Sequence, residues 1–289
     1  MNTFTRDLID WIEKNLEGKL TIDDVSAKAG YSKWHLQRMF RDDTGFQLAS
    51  YIRYRKLNKA ALILKMTDMP AVEISELLGF SSQQTFTRAF TRHFGNAPGQ
   101  YRSSHEWNFR GMVAKAHHYP DALPQAEVVT RGPDAIRGTS LSYYCDHNEL
   151  EDITYHHLHR ERIVGEILAM RKGSLPGCVA EHFEPDPESS KVRFTLTFNT
   201  ASQDIIIRPS ASGRFLRFNF TGTQQQFVDM QATIYQHVMP FRPEARRNGQ
   251  DIFICQHKYQ PDQPLPETFS GNYYIPVSQA VMTEPDWLL

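Results

Sequence analysis

Residues 30–45 read G-Y-S-K-W-H-L-Q-R-M-F-R-D-D-T-G, and residues 79–95 read G-F-S-S-Q-Q-T-F-T-R-A-F-T-R-H-F-G. The second stretch repeats the first with one inserted residue. The two stretches correspond in their opening triplets, in their later apolar positions and in their closing glycines. Two copies of one pattern in a single chain are much harder to reach by chance than one copy. The chain therefore contains an internal repeat, and each copy is expected to be one structural unit.

Each copy predicts a helix, a turn at a glycine and a second helix. In the first copy Thr21 is suited to cap the first helix, and Gly30 can adopt the positive φ that ends it. Ser32 then caps a helix whose apolar residues recur three and four positions apart. A glycine and a serine take the same places in the second copy. This order of elements is that of a helix-turn-helix unit.

Two further helices are predicted around these copies. Residues 6–16 have an amphipathic pattern, and residues 48–65 run between the copies without glycine or proline. At ~1.5 Å per residue the helix between the copies is about 27 Å long, so it can hold the two units at a fixed angle. Residues 1–107 are therefore predicted to form an all-α domain with two helix-turn-helix units.

The rest of the chain has a different character. Residues 108–124 are predicted to be a linker, because helical periodicity stops and two prolines interrupt the stretch. In residues 125–289, β-branched and aromatic runs accompany helical patterns at residues 150–171 and 224–239, and this mixture predicts an α+β domain. The predicted strands are residues 127–130, 192–199, 205–207, 215–220, 252–258 and 273–277.

The composition excludes several classes of protein. Hydrophobic residues make up 40% of the 289-residue chain and charged residues 22%, which is typical of globular domains and not of disordered chains. No apolar stretch approaches the ~20 residues that span a bilayer, and the first residues lack the apolar core of a signal peptide. The three cysteines form no C-x-x-C pair. We therefore expect a cytoplasmic protein without a zinc site or a disulfide framework.

The second helix of each copy carries side chains that suit DNA recognition. In a helix-turn-helix unit this helix enters the major groove, where arginine pairs with guanine and glutamine with adenine. Such residues on one helix are often merely solvated, but their clustering in both copies favours base recognition. The predicted base-reading residues are Trp34, Gln37, Arg38, Gln83, Gln84, Thr87 and Arg88. The predicted phosphate contacts are Ser32, Arg41, Arg53, Arg55, Lys56, Lys59 and Ser82.

Residues 30–45 and 79–102 resemble the AraC/XylS family of transcription regulators. The tail G-x-x-P-x-x-Y-R at residues 95–102 matches the signature of that family closely. The segments S-K-W-H-L-Q-R-M-F and S-Q-Q-T-F-T-R-A-F are similar to the MarA/SoxS/Rob group within it. A DNA-binding part that precedes a further domain is a Rob-like order, whereas most of the wider family places the DNA-binding part last.

The resemblance implies a mode of action. Members of this group bind an asymmetric site as monomers, with one unit in each of two successive major grooves. They recruit RNA polymerase to promoters of efflux, drug-tolerance and oxidative-stress genes. We therefore expect a nucleoid-associated activator with promoter DNA and RNA polymerase as partners and with no cofactor.

From about residue 127 to residue 277 the chain resembles a GyrI-like effector domain, most clearly in the late strand Y-Y-I-P-V at residues 273–277. The resemblance implies two strand–helix–strand halves and a groove for amphipathic or cationic ligands. Many such domains carry a glutamate four residues before the late-strand proline, where this chain has Asn272, and an amide supplies no charge to stabilise a buried cation. A neutral or anionic amphipathic ligand is therefore expected. The predicted groove residues, which could equally be core residues, are Tyr143, Tyr144, Phe218, Asn272 and Tyr274.

Two other roles of the second domain remain open from the sequence. Some GyrI-like domains are hydrolases, but no G-x-S-x-G, H-E-x-x-H or glycine-rich phosphate loop is present, so neither catalytic residues nor an enzyme are predicted. His156, His157 and His159 lie close together in the sequence. A metal site would need additional ligands, which the sequence does not indicate, so no metal is predicted. The domain could also be an interaction module whose groove is closed and whose protein partner binds outside it.

Overall fold

The structure is a computed structural model, and it describes residues 1–116, 122–132, 136–170, 177–199, 206–207, 213–256 and 267–278. The chain divides into two units. The helical unit comprises Met1–Ser104 and Arg110–Asp121, and the sheet unit comprises His105–Phe109 and Ala122–Leu289. Within the described ranges, no helix is long and apolar enough to cross a membrane.

The helical unit contains both predicted helix-turn-helix units. Its helices are α1 (Thr3–Lys14), α2 (Ile22–Ala29), α3 (Lys33–Thr44), α4 (Leu48–Met66), α5 (Ala71–Leu77), α6 (Gln83–Phe94) and α7 (Pro98–Ser103). The first helix-turn-helix unit is the pair α2 and α3, and the second is the pair α5 and α6. The long helix α4 packs against α3 and against α5, α6 and α7.

The predicted caps are confirmed at the ends of these helices. Thr21 and Asp24 form a reciprocal capping box at the start of α2, and Gly30 ends that helix with φ +70°. The side chains of Ser32 and Ser82 accept backbone hydrogen bonds at the starts of α3 and α6. Each cap satisfies a backbone donor that the helix itself leaves unpaired, so the two recognition helices begin at fixed residues.

Inward-facing apolar residues determine which sides of α3 and α6 remain outside. Leu36 and Phe40 of α3 are completely buried in a core formed with α1 and α4. Phe86 and Phe90 of α6 are equally buried, and Phe90 also packs edge-on against Tyr101 of α7. Because these residues recur every third or fourth position, the opposite side of each helix faces solvent.

The sheet unit is an antiparallel sheet with helices, as the α+β prediction requires. The long helices are α8 (Ile153–Met170) and α9 (Gln224–Thr233), and α9 continues as a π-helical turn at Ile234–Val238. The strands run in the order β1-β8-β10-β9-β4-β5-β3-β6, and β7 pairs with β10 and β2. Their bounds are β1 Glu106–Trp107, β2 Glu127–Arg131, β3 Ile136–Cys145, β4 Cys178–Pro185, β5 Val192–Asn199, β6 Ile206–Ile207, β7 Gly213–Gly222, β8 Arg246–Arg247, β9 Asp251–Cys255 and β10 Phe269–Val277.

Two long strands of this sheet were not predicted. In β3 small hydroxyl residues replace the expected apolar alternation, and Ser140 and Ser142 bond to threonine hydroxyls of β5. In β4 the charged residues Glu181 and Glu184 interrupt the apolar pattern. Such residues have low strand propensity, and here pairing with neighbouring strands outweighs it.

The structure corrects the prediction that residues 108–124 form a separate linker. Strand pairing of Glu106–Trp107 with β8 places residues 105–109 in the sheet unit. The carbonyl oxygen of Val113 accepts hydrogen bonds from Arg55 and Asn58, which ties the following residues to the helical unit. Residues 108–109 therefore belong to the sheet unit and residues 110–116 to the helical unit, where hydrogen bonds hold Val113.

Candidate nucleic-acid interface and ligand cavity

The outer side of α3 presents the three residues predicted to read bases in the first unit. Trp34 is 70% exposed, and Gln37 and Arg38 are exposed beside it. The guanidinium carbon of Arg38 lies 5.6 Å from the centre of the Trp34 ring, and its Nε lies 3.8 Å from Asp42. The ion pair is exposed and weak, so Arg38 can exchange it for a base.

The outer side of α6 presents a different set of side chains from that of α3. Gln83, Gln84 and Arg88 are exposed, whereas Thr87 is half-buried. Ser82 caps the helix and shares its hydroxyl with Thr85, so the polar side chains begin directly at the N-terminal end. The two recognition helices thus have the same backbone plan and unlike exposed side chains.

The structure corrects two of the predicted phosphate contacts. Arg55 is 1% exposed, and its Nε and Nη2 donate to the two carboxylate oxygens of Glu13, each at 2.9 Å. Lys56 is 7% exposed, and its Nζ donates to the carbonyl oxygens of Gly18 and Leu78 at 2.6 and 2.8 Å. Both cations lie on the inner side of α4, where they join helices, and neither is available to a phosphate.

The other predicted phosphate contacts lie nearer the surface. Arg41 and Arg53 are exposed, and the Arg53 guanidinium lies 5.4 Å from the ring centre of Tyr54. Lys59 is bound to Glu17 at 2.7 Å, which competes with a phosphate for its charge. Ser32 and Ser82 are exposed helix caps. Arg92, in the last turn of α6, is also exposed and was not among the predicted contacts.

Burial shifts the pKa values of the groups inside the helical unit. Burial raises the pKa of Glu13, but the charge of Arg55 and the hydrogen bonds from Arg55 and Tyr51 outweigh it, so the net pKa is lowered. Burial lowers the pKa of the Lys56 ammonium. Glu13 therefore stays ionised and neutralises Arg55 within the core.

The sheet unit contains a cavity of about 110 Å³ between α8, α9 and one face of the sheet. Its walls are mostly apolar and include Val164, Ile167, Leu196, Phe198, Phe227 and Phe253. One part of the lining is polar and comes from Arg160, Glu181, Gln231, Asp251 and Tyr273. A cavity with apolar walls and a few convergent polar groups is the usual form of a small-molecule site.

The charges of this polar lining are paired inside the protein. Arg160 donates to Glu181 of β4 and to Gln231 of α9, and so joins the two helices and the sheet. Burial raises the pKa of Glu181, and the neighbouring Asp251 carboxylate raises it further against the opposing effect of Arg160. Asp251 is paired with Arg246 at 3.0 Å. Two cations and two carboxylates therefore balance.

None of the five predicted groove residues lines this cavity. Tyr143 and Phe218 lie on the same face of the sheet as the cavity, but they are 2% and 0% exposed core residues. Asn272 and Tyr274 face the other way, because side chains alternate along β10 and Tyr273 is the one that faces the cavity. Tyr144 follows Tyr143 in β3 and is 45% exposed.

Sequence reasoning also missed the charged groups that do line the cavity. Glu181 and Asp251 are direct neighbours across β4 and β9. A carboxylate within a strand needs a partner if it faces inward, but neither Glu181 nor Asp251 lay within a predicted strand. Arg160, the partner of Glu181, lies on a helix, and the sequence does not show which helical residue meets which strand.

The capped helices α3 and α6 each follow a glycine turn, and their exposed outer sides carry different side chains. This arrangement is that of a helix-turn-helix DNA-binding transcription regulator. Residues 25–104 match a family model described as a helix-turn-helix domain. The transcriptional regulator Rob of Salmonella typhimurium is 33% identical over 268 residues, which are 89% of this chain and 90% of that protein. The chain belongs to the AraC/XylS family, in its Rob-like group.

Two further relatives agree with this assignment. The right origin-binding protein of Escherichia coli strain K12 is 34% identical over 257 residues, or 86% of this chain and 88% of that protein. The multiple antibiotic resistance protein MarA of the same strain is 44% identical over 112 residues, which are 39% of this chain and 88% of MarA. The Rob likeness thus extends through most of the chain, and the likeness to MarA is confined to part of it.

Proposed function

We propose that this regulator binds an asymmetric DNA site as a monomer, with α3 and α6 in two successive major grooves. The observation that carries the proposal is that the exposed side chains of α3 differ from those of α6. Both helices belong to one unit, in which α4 packs against each of them. A single chain then reads two different half-sites, whereas a symmetric site needs two identical reading heads.

The exposed side chains suggest distinct roles. Arg38 and Arg88 are suited to guanine, Gln37, Gln83 and Gln84 to adenine, and the rings or methyl groups of Trp34 and Thr87 to thymine methyl groups. Arg41 and Arg53, with the capping residues Ser32 and Ser82, are suited to hold phosphates on either side. This assignment leaves Arg55 and Lys56 out, since both are buried.

We further propose that the chain activates transcription by recruiting RNA polymerase in the cytoplasm, at promoters of stress, efflux and drug-tolerance genes. The support for this is the relationship to Rob and to a protein named for multiple antibiotic resistance. Transcription in vitro from a promoter with a bound site would test it. More transcript with the protein than without is expected, and an equal or lower amount contradicts activation.

For the sheet unit we propose the binding of a small amphipathic molecule in a GyrI-like cavity. The cavity favours this role over an interaction module without a ligand. Its internal charges balance, so a neutral or anionic head group is favoured over a cation. The Nε of Arg160, which is buried and has no hydrogen-bond partner among the described residues, offers one donor to such a head group.

The DNA proposal is tested by selecting bound sequences from a random pool and measuring affinities for variants. Arg38→Ala is expected to cost roughly 1–3 kcal/mol at one half-site and to relax specificity there, and Arg88→Ala to do so at the other. Arg6→Ala removes an exposed arginine of α1 and is the matched control. Equal affinity of the unaltered protein for selected and scrambled DNA, or loss at the same base pairs in both variants, contradicts the proposal.

Sedimentation of the protein–DNA complex tests the stoichiometry. One chain per selected site is expected, and two chains per site contradict monomeric binding.

The ligand proposal is tested by calorimetry with 1-octanol and n-octyl sulfate as neutral and anionic probes. The cavity-filling variant Val164→Phe is expected to lose the binding of a probe that occupies the cavity. Failure of both probes to bind contradicts the proposed ligand class.

A further inference from the structure

A short segment of the chain lies in the sheet unit between two stretches that belong to the helical unit. This anchor segment is His105–Phe109, and it follows Ser104 and precedes Arg110, both of which are assigned to the helical unit. Trp107 pairs with Arg246 in the antiparallel β1–β8 ladder, and the Asn248 amide donates to the His105 carbonyl oxygen at 3.2 Å. The anchor segment is thus covalently continuous at both ends with the DNA-binding unit.

The two aromatic side chains of the anchor segment are buried, whereas His105, Glu106 and Asn108 are exposed. Trp107 is 7% exposed and Phe109 is 3% exposed, and their rings stack with centres 4.6 Å apart. Trp107 also meets Phe183 edge-on, and the ring of Phe109 lies 5.4 Å from that of Tyr235. Changes in Tyr235 therefore act directly on the packing of the anchor segment.

Tyr235 belongs to a buried polar group centred on Asp251. The Asp251 carboxylate accepts hydrogen bonds from Tyr235 Oη, from Tyr273 Oη at 2.7 Å and from Arg246 Nη2 at 3.0 Å. Arg246 Nε also donates to Tyr235 Oη at 3.2 Å. We call these four residues the Asp251 cluster. Asp251 and Arg246 are each 5% exposed, so a hydrogen bond lost here is not replaced by solvent water.

The Asp251 cluster faces the cavity on one side and the anchor segment on the other. Asp251 and Tyr273 line the cavity, whereas Tyr235 contacts Phe109 and Arg246 pairs with Trp107. The guanidinium of Arg246 also lies 4.8 Å from the ring centre of Phe183, which itself contacts Trp107. Two separate contacts thus connect a cavity-lining carboxylate to the anchor segment.

We propose that the Asp251 cluster couples occupancy of the cavity to the anchor segment, with Tyr235 as the positioning residue of that coupling. The inference rests on the proposed ligand role of the cavity. A head group that bonds to Tyr273 or Asp251 redistributes the hydrogen bonds of the carboxylate. Tyr235 then adjusts, Phe109 repacks, and the altered anchor segment acts on the DNA-binding unit through the peptide bonds at its two ends.

The test uses the full chain and follows hydrogen–deuterium exchange of the backbone amides in residues 105–109. The variant Tyr235→Phe removes one hydroxyl, keeps the ring that contacts Phe109 and does not line the cavity. Tyr155→Phe removes a tyrosine hydroxyl that bonds to the Tyr144 carbonyl, outside the Asp251 cluster, and is the matched control. The probe is whichever of n-octyl sulfate and 1-octanol binds by calorimetry.

In the unaltered protein and in Tyr155→Phe, saturating probe is expected to change exchange in the anchor segment by about threefold or more. In Tyr235→Phe the dissociation constant of the probe is expected to stay within about twofold, while the exchange response disappears. The affinity for selected DNA should respond to the probe in the same pattern. A merely structural role of Tyr235 would alter exchange without probe and leave the response to probe intact.

Two results overturn the coupling while leaving the ligand site standing. The first is bound probe with no change in the anchor segment of the unaltered protein. The second is an equal response in Tyr235→Phe. Absence of probe binding contradicts the proposed ligand site itself, and the coupling with it, and calorimetry separates that outcome from the other two.

Discussion

The Arg55 guanidinium and the Glu13 carboxylate form a two-point ion pair inside the helical unit, with both N–O distances at 2.9 Å. Their side chains are 2% and 7% exposed, and Tyr51 Oη donates to the same carboxylate at 2.7 Å. Removal of one partner leaves the other charge buried and unpaired. We predict that Glu13→Gln lowers the free energy of unfolding by about 3 kcal/mol, measured by urea unfolding followed by circular dichroism.

The control for this prediction is the neighbouring pair of Lys59 and Glu17, which joins the same parts of the unit at 2.7 Å. The Glu17 side chain is 38% exposed, so Glu17→Gln should cost less than about 1 kcal/mol. Equal losses in the two variants would show that the burial of Glu13 contributes nothing beyond an ordinary ion pair.

The Glu13–Arg55 pair also shows where sequence reasoning about the helical unit reaches its limit. Local signals predicted the caps at Thr21, at Ser32 and at one serine of the Ser81-Ser82 pair, which is Ser82 in the structure, because a cap involves residues only two or three positions apart. The partners of Arg55 include Glu13 and the Val113 carbonyl, those of Lys56 include the Gly18 and Leu78 carbonyls, and no local pattern identifies them. Basic residues on a helix next to DNA-reading elements were therefore assigned to phosphate.

In the sheet unit, the sequence does not show which face of the sheet each side chain lies on. The sequence predicts the late strand and its aromatic residues, but whether Tyr273 or Tyr274 faces the cavity depends on register and on where the helices pack. The predicted groove residues Asn272 and Tyr274 lie on the face of β10 opposite to that of the cavity-lining Tyr273. The carboxylates of Glu181 and Asp251, which lie on the cavity side, fell outside the predicted strands, because β4 was not predicted and the strand at β9 was predicted to begin at residue 252.

The partly buried imidazole of His156 predicts an acid-sensitive sheet unit. Its Nε2 donates to the Leu150 carbonyl at 3.2 Å and its Nδ1 accepts from Tyr143 Oη at 2.8 Å, so the neutral ring is fully hydrogen-bonded. Burial, with the charge of Arg160, lowers the pKa of His156 to about 4, below the ordinary value of 6.5. Between these values the unfolded chain binds a proton that the folded chain does not, so stability falls as the pH is lowered from 6.5 to 4.

The loss attributable to His156 is at most about 3 kcal/mol, since one pKa unit corresponds to about 1.4 kcal/mol. Urea unfolding at a series of pH values measures it. His156→Gln should remove this part of the slope, and His147→Gln, which keeps His156, should retain it. An unchanged slope in His156→Gln would assign the acid sensitivity to other groups.

The glycines at the two turns predict unequal costs for the same substitution. Gly30 and Gly79 both have positive φ, at +70° and +67°. A Cβ at Gly30 meets no atom of the described residues within 4 Å, whereas a Cβ at Gly79 would overlap the Gly18 backbone. We predict that Gly30→Ala costs about 1 kcal/mol from backbone strain and that Gly79→Ala costs about 2 kcal/mol more. Equal shifts of the urea midpoint would mean that the Gly18 backbone gives way without cost.

The last prediction separates the reading of bases from the binding of phosphates within one unit. Arg38 is exposed on the recognition helix α3, whereas Arg53 is exposed on α4 beside the Tyr54 ring. We predict that Arg53→Ala weakens binding to selected and scrambled DNA alike and lowers the salt slope of log K by about 0.9, because one fewer phosphate is neutralised. Arg38→Ala should instead weaken binding to selected DNA more than to scrambled DNA, since its proposed partner is a base. Titrations at several salt concentrations measure both effects, and a sequence-dependent loss in Arg53→Ala would move that residue from the phosphate set to the base-reading set.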